Sequence, residues 1–81
     1  MRVRRTAHFE QAYKNALPRI QDAMDKQLAL LVQNLRHPSL QAKKYDESRG
    51  LWQARVTRDW RFYFLIEADT YVLVGLRPHP K

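Results

Sequence analysis

The apolar residues of this chain keep one period in its first half and another in its second. From Pro18 onward, Ile20, Ala23, Met24, Leu28, Leu31, Val32 and Leu35 recur three or four apart, with Asp22, Asp25, Lys26 and Gln33 outside the stripe. That is the signature of an amphipathic helix. Phe9, Ala12, Tyr13 and Ala16 have the same spacing and predict a shorter helix over residues 7–17. Proline suits the first position of a helix, so the second begins at Pro18. Pro38 disfavours helical geometry at His37, which places the end of that helix near Arg36. Residues 2–6 read as a short strand. Residues 37–50 (HPSLQAKKYDESRG) are polar, carry a proline and close on glycine, and read as a loop or extended crossover. After Gly50 the chain turns β-branched and aromatic. Residues 51–57, 60–67 and 71–79 read as strands separated by short polar turns. The order β-α-α-β-β-β is an α+β fold, with a helical hairpin on one face of the sheet.

Alternation divides each of the three last strands between two faces. One face receives Trp52, Ala54 and Val56; Trp60, Phe62, Phe64 and Ile66; Val72, Val74 and Leu76. It is uniformly apolar and is predicted to pack on the helical stripe. The other receives Leu51, Gln53, Arg55, Thr57, Arg61, Tyr63, Leu65, Tyr71, Leu73, Gly75, Arg77 and His79. Hairpin pairing must match apolar with apolar. It therefore pairs Val56 with Trp60 and Ile66 with Val72, and sets Arg55 opposite Arg61 and Arg61 opposite Arg77. Like charges directly opposed in a sheet are destabilising. Three arginines abreast point to a shared anion, since guanidinium forks are the usual means of fixing phosphate. His79 falls at the cationic end of the same face, and Leu51, Leu65 and Leu73 form its apolar end. The competing structural reading pairs the arginines with Asp46, Glu47 and Asp59, and has Tyr63 cover bare backbone at Gly75.

Composition narrows the classes of function. The chain has 81 residues, enough for one domain spanning 1–81. It has no cysteine, which favours a reducing compartment. The basic N-terminus is followed by no apolar run, so neither a signal peptide nor a membrane span is expected, and the protein is expected to be cytoplasmic. Fifteen Lys and Arg against eight Asp and Glu give a formal charge of +7, a field that draws in polyanions. Three unclustered histidines without cysteine make no metal site, and no glycine-rich phosphate loop is present. No metal or cofactor is expected. His8 and His37 lie at helix ends and are given no catalytic role.

Several motifs share a known order: Phe9-x-x-Ala12 with Leu17-Pro18, Trp52-x-x-Arg55-Val56, Trp60-Arg61-Phe62-Tyr63 and Gly75-Leu76-Arg77-Pro78-His79. Together they resemble the RelE/ParE superfamily of toxins from bacterial type II toxin–antitoxin pairs, over nearly the whole chain. The resemblance implies a twisted, mostly antiparallel sheet with helices on one face. It also implies a growth-inhibiting protein held inactive by a cognate antitoxin. RelE-like members cut messenger RNA on the ribosome, whereas ParE-like members poison DNA gyrase. By resemblance to the RNA-cleaving members, Arg61 is catalytic, Arg77 contributes, and His79 matches a histidine of the YoeB-like branch. Arg55, Lys43, Lys44 and Tyr63 are the expected RNA or phosphate contacts. The chain departs from the pattern in three places. Ala42-Lys43-Lys44 stands where YoeB-like members carry a glutamate base, Leu51 and Gln53 stand where RelE-like members carry lysines, and the chain ends Pro80-Lys81 where many members have a tyrosine. The expected function is a ribosome-dependent mRNA endonuclease acting through 2′-hydroxyl attack on phosphate. The alternatives are a gyrase inhibitor without chemistry of its own, and a non-cleaving toxin that only binds its antitoxin. The apolar end of the open face and the grooves beside the helices are the expected docking places for an acidic antitoxin segment.

Overall fold

Thr6 starts the first helix. Its backbone is extended and its hydroxyl accepts from the Phe9 amide at 3.2 Å, while the same hydroxyl donates to the Leu73 carbonyl at 3.0 Å. One side chain thereby caps a helix and ties it to the far end of the chain. In this computed structural model, which describes residues 1–79, the strand Arg2–Arg5 (β1) leads into helices Ala7–Asn15 (α1) and Pro18–Gln33 (α2). Four strands follow: Lys43–Asp46 (β2), Leu51–Thr57 (β3), Trp60–Glu67 (β4) and Thr70–Pro78 (β5). Pro80 and Lys81, where the resemblance expects a tyrosine, lie outside the described residues. No helix among the described residues is long and apolar enough to cross a membrane.

The strands form one mixed sheet in the order β1-β5-β4-β3-β2. β1 runs parallel to β5, and the remaining pairs are antiparallel. Both helices lie on one face, where Phe9, Ile20, Met24, Leu31, Leu40, Phe62, Phe64 and Leu73 are almost completely buried. Burying side chains of this size stabilises the fold by roughly 1.5–3 kcal/mol each. Gln27 is the polar member of that layer. Its Nε2 donates to the Ser39 carbonyl at 3.1 Å and to the Arg55 carbonyl at 2.8 Å, so α2 is bonded to β3 where the β3–β4 ladder is interrupted.

Three expectations are corrected. The segment 37–50 is not all loop: it holds β2, flanked by 3-10 turns at Pro38–Leu40 and Glu47–Arg49. An edge strand needs no apolar alternation, and lysines on it discourage pairing with another chain, so its sequence reads as loop. α2 ends at Gln33 rather than near Arg36, because Asn34 turns extended and its side chain accepts from the Arg36 amide at 3.0 Å. The third correction changes which residues face outward. A bulge in β5 pairs Tyr63 with Gly75 but Phe64 with Leu73, leaving Val74 as the extra residue. Beyond it every side chain of β5 changes face. Ile66 pairs with Tyr71 instead of Val72, Tyr71 and Leu73 enter the helix-side core, and Val72 and Val74 replace them on the open face. A second bulge, at Val56, pairs Thr57 rather than Val56 with Trp60.

Candidate functional site

Neither bulge disturbs the ladder between them. Arg55 pairs with Arg61, Arg61 with Arg77, and the next row holds Lys43, Gln53, Tyr63 and Gly75. Three guanidinium-bearing positions thus stand abreast on the face away from the helices. The heads of Arg61 and Arg77, however, diverge. Arg61 folds back on the β3–β4 turn, where its Nη1 donates to the carbonyls of Thr57 at 2.7 Å, Trp60 at 3.0 Å and Arg58 at 3.2 Å. Among the described residues its Nε and Nη2 find no acceptor. Arg77 turns the opposite way and lies over the Tyr63 ring, 4.6 Å from its centroid, an attractive cation–π geometry. Contact with Tyr63 pushes the already high Arg77 pKa further up, so this cation is permanent. Arg55 is bonded to α2 through its backbone carbonyl, which accepts from Gln27 Nε2 and borders a hollow there with Lys26 and Ser39. Opposed like charges relax apart onto the nearest carbonyls and π-face, a movement that strand register alone does not describe.

Tyr63 organises the centre. It is buried, its hydroxyl donates to Gln53 Oε1 at 3.1 Å, and its ring meets Tyr45 edge to face at 5.2 Å. Around it opens a cleft of about 200 Å³ lined by His8, Tyr45, Arg49, Leu51, Tyr63, Gly75 and Arg77 among others. Arg49 is fixed by Asp46, whose Oδ2 accepts from its Nε at 2.8 Å. Hydrogen bonds from Ser48 and then Arg49 hold the Asp46 carboxyl below the usual aspartate range.

The expected site residues therefore separate into groups. Arg77 and Tyr63 line the cleft, and Lys43 shares the row of Tyr63. Lys44 pairs with Trp52 and belongs to the opposite face. Arg61 and Arg55 stand in the row next to the cleft without lining it. His79 follows the end of β5, exposed, its amide bonded to the Asp59 carbonyl at 2.7 Å. The cleft also contains residues that sequence reading passed over. Tyr45 and Arg49 fell in the segment taken for loop, where an aromatic among polar residues and an Asp-x-Ser-Arg turn were the available signals. His8 gave no signal beyond its place at a helix start. The apolar end of the face is lined by Leu51, Leu65 and Val74 beside Arg49, with Val74 where Leu73 was expected.

The sequence matches no protein-family model and no curated protein. Solved structures do match the fold. The YoeB/ParE toxin from Agrobacterium tumefaciens superposes with a TM-score of 0.82 at 14% identity, covering 99% of this chain and 100% of that one. YafQ from E. coli strain BL21(DE3) gives 0.80 at 19% identity, over 98% and 94% of the two chains. The toxin–antitoxin complex RelBE2 from Mycobacterium tuberculosis gives 0.75 at 20% identity, over 96% of each. A helical hairpin on a β1-β5-β4-β3-β2 sheet, matched from end to end by these structures, gives the chain the fold of the RelE/YoeB-type toxins.

Proposed function

We propose that this protein is the cytoplasmic toxin of a type II toxin–antitoxin pair, an endoribonuclease that cuts messenger RNA on the ribosome and is neutralised by a cognate antitoxin. The observation that carries the reading is the Arg55–Arg61–Arg77 row on the open face of a RelE/YoeB-type fold. Like charges in neighbouring positions of a sheet oppose folding; the turn carbonyls and the Tyr63 ring offset part of that cost, and an RNA phosphate beside Arg77 would offset more. In the proposed reaction the ribose 2′-hydroxyl gives its proton to solvent water and attacks the adjoining phosphorus, the P–O5′ bond breaks, and a 2′,3′-cyclic phosphate remains. Charge builds on the non-bridging oxygens, where positioned cations lower the barrier most. Arg77 holds those oxygens from the cleft. Arg61, pinned through Nη1, presents its remaining N–H groups from the turn side, and Arg55 adds field. His79 protonates the leaving 5′-oxygen, the general-acid role for which an imidazole is the commonest side chain. Lys43, in the row of Tyr63, guides the flanking backbone, whereas Lys44 on the opposite face takes no part, and Tyr63 holds Arg77 in place. The antitoxin is proposed to be acidic, complementing the +7 charge.

The test is induction from a tight promoter with growth followed alongside primer-extension mapping of RNA ends. Growth arrest with new ends inside translated messages is the expected result. Arg77→Ala is expected to lose at least about 100-fold in cleavage, as removal of one oxyanion donor does elsewhere. Arrest with intact messages and trapped gyrase–DNA complexes overturns the nuclease reading. Undiminished cleavage by Arg61→Ala, Arg77→Ala and His79→Ala overturns the site.

A further inference from the structure

Tyr45 is an aromatic residue left half uncovered, at 50% exposure, on an edge strand whose other members are charged. A large ring in that position gains little from burial, so its packing does not explain it. What it touches is specific. Its ring meets Tyr63 at 5.2 Å and 70°. Tyr63 is immobilised by its hydroxyl bond to Gln53 and by burial, and it carries the Arg77 guanidinium. A fixed ring thus orients a second, half-open ring beside a permanent cation, at the mouth of a cleft of about 200 Å³. Arg49, the other cation lining it, is already paired with Asp46. An exposed aromatic next to an anion-binding arginine is the arrangement with which proteins hold single-stranded nucleic acid, the cation taking phosphate and the ring taking the base.

We propose that Tyr45 is a stacking platform for one unpaired RNA base, the base adjoining the phosphate held by Arg77. This rests on the nuclease reading and adds to it a residue that grips substrate without taking part in bond breaking. Stacking needs a π-face and not a hydroxyl, so Tyr45→Phe and Tyr45→Trp are expected to act as the parent does. Tyr45→Leu, which keeps apolar bulk on an exposed strand, is not.

The experiment is single-turnover cleavage of a defined message on purified bacterial ribosomes, with toxin titrated. Each variant is also assayed on messages carrying one abasic nucleotide beside the cut. Tyr45→Leu is expected to raise the half-maximal toxin concentration on the order of tenfold, the scale of one lost base–aromatic stack, with little change in maximal rate. One abasic position is expected to weaken the parent by a similar factor and to leave Tyr45→Leu unmoved, because the interaction is already gone. If the parent cuts the message and Tyr45→Leu matches it, the stacking role fails and the nuclease reading stands. Additive abasic and Leu effects, or a loss in Tyr45→Phe as large as in Tyr45→Leu, also overturn it. A parent that cuts no message removes both.

Discussion

Arg61 and Arg77 occupy neighbouring positions of one row, yet their side chains lead to different expectations for stability. Arg61 Nη1 is bonded to three turn carbonyls, whereas Arg77 is exposed and rests on a ring. Hydrogen bonds from a charged donor contribute roughly 1.5–3 kcal/mol when sheltered, and exposed contacts contribute less. Arg61→Ala is therefore expected to lower unfolding stability by about 1–2 kcal/mol in urea titrations. Arg77→Ala is expected to stay within about 0.5 kcal/mol of the parent. A toxicity loss in Arg61→Ala alone would then mix folding with function, so Arg77→Ala is the cleaner probe of phosphate binding. That difference was not legible in the sequence. Register follows from alternation and turn length, but the direction of a long flexible head depends on which acceptors lie within its reach. The three carbonyls that collect Arg61 exist only once the turn has closed.

Elements differ in how openly the sequence declares them. β3 and β4 were legible because Trp52, Ala54, Phe62 and Phe64 alternate with polar residues, so one register alone buries them. β5 was legible as a strand but not in its facing. Tyr71 to Val74 is an unbroken apolar run, so a one-residue bulge exchanges one apolar set for another and leaves no trace in the pattern. β2 was hidden because it is polar and at the edge. Two predictions belong here. The two-residue turn joining β4 to β5 holds Ala68 at φ 53°, in the left-handed region that a Cβ disfavours. Ala68→Gly is expected to stabilise the protein by about 0.5–1 kcal/mol, read as a higher urea midpoint with unchanged slope. The turn after β2 depends on Asp46, whose carboxyl is held below its usual range by Ser48 and Arg49. Because its folded pKa is depressed, its contribution is present above the ordinary aspartate value of about 3.9 and is lost as pH falls through the lower folded value. Measured against the intrinsic rate of an unstructured peptide at each pH, amide exchange at Ser48 and Arg49 is expected to quicken in that acid window in the parent. In Asp46→Asn it should be fast already at neutral pH.

At the scale of the whole molecule the determining quantity is charge. A net +7 on 81 residues was evident from composition, and it makes association with any polyanion strong at low salt and weak at high salt. Net charge does not say where on the surface contact occurs, whereas the sheet order separates two cationic regions. Arg2 and Arg4 lie on β1, at one edge, and face Asp69 and Glu67 at 3.8 Å in exposed ion pairs that contribute little. Arg77 lies on β5 at the cleft, paired across to Arg61. If RNA phosphate sits in the cleft, Arg77 releases counterions on binding and the edge arginines do not. The logarithm of the association constant for ribosome-bound message should fall linearly with the logarithm of salt concentration. Arg77→Gln should make that slope shallower by about 0.7, the single-strand value for one phosphate contact. Arg2→Gln removes the same unit of charge and should lower affinity slightly while leaving the slope near the parent's. Titrations of the three proteins at four or five salt concentrations separate these outcomes. Equal slopes for Arg77→Gln and the parent would mean that Arg77 meets no phosphate. Equal and shallower slopes for both variants would mean that the molecule binds through diffuse charge and uses no defined cleft.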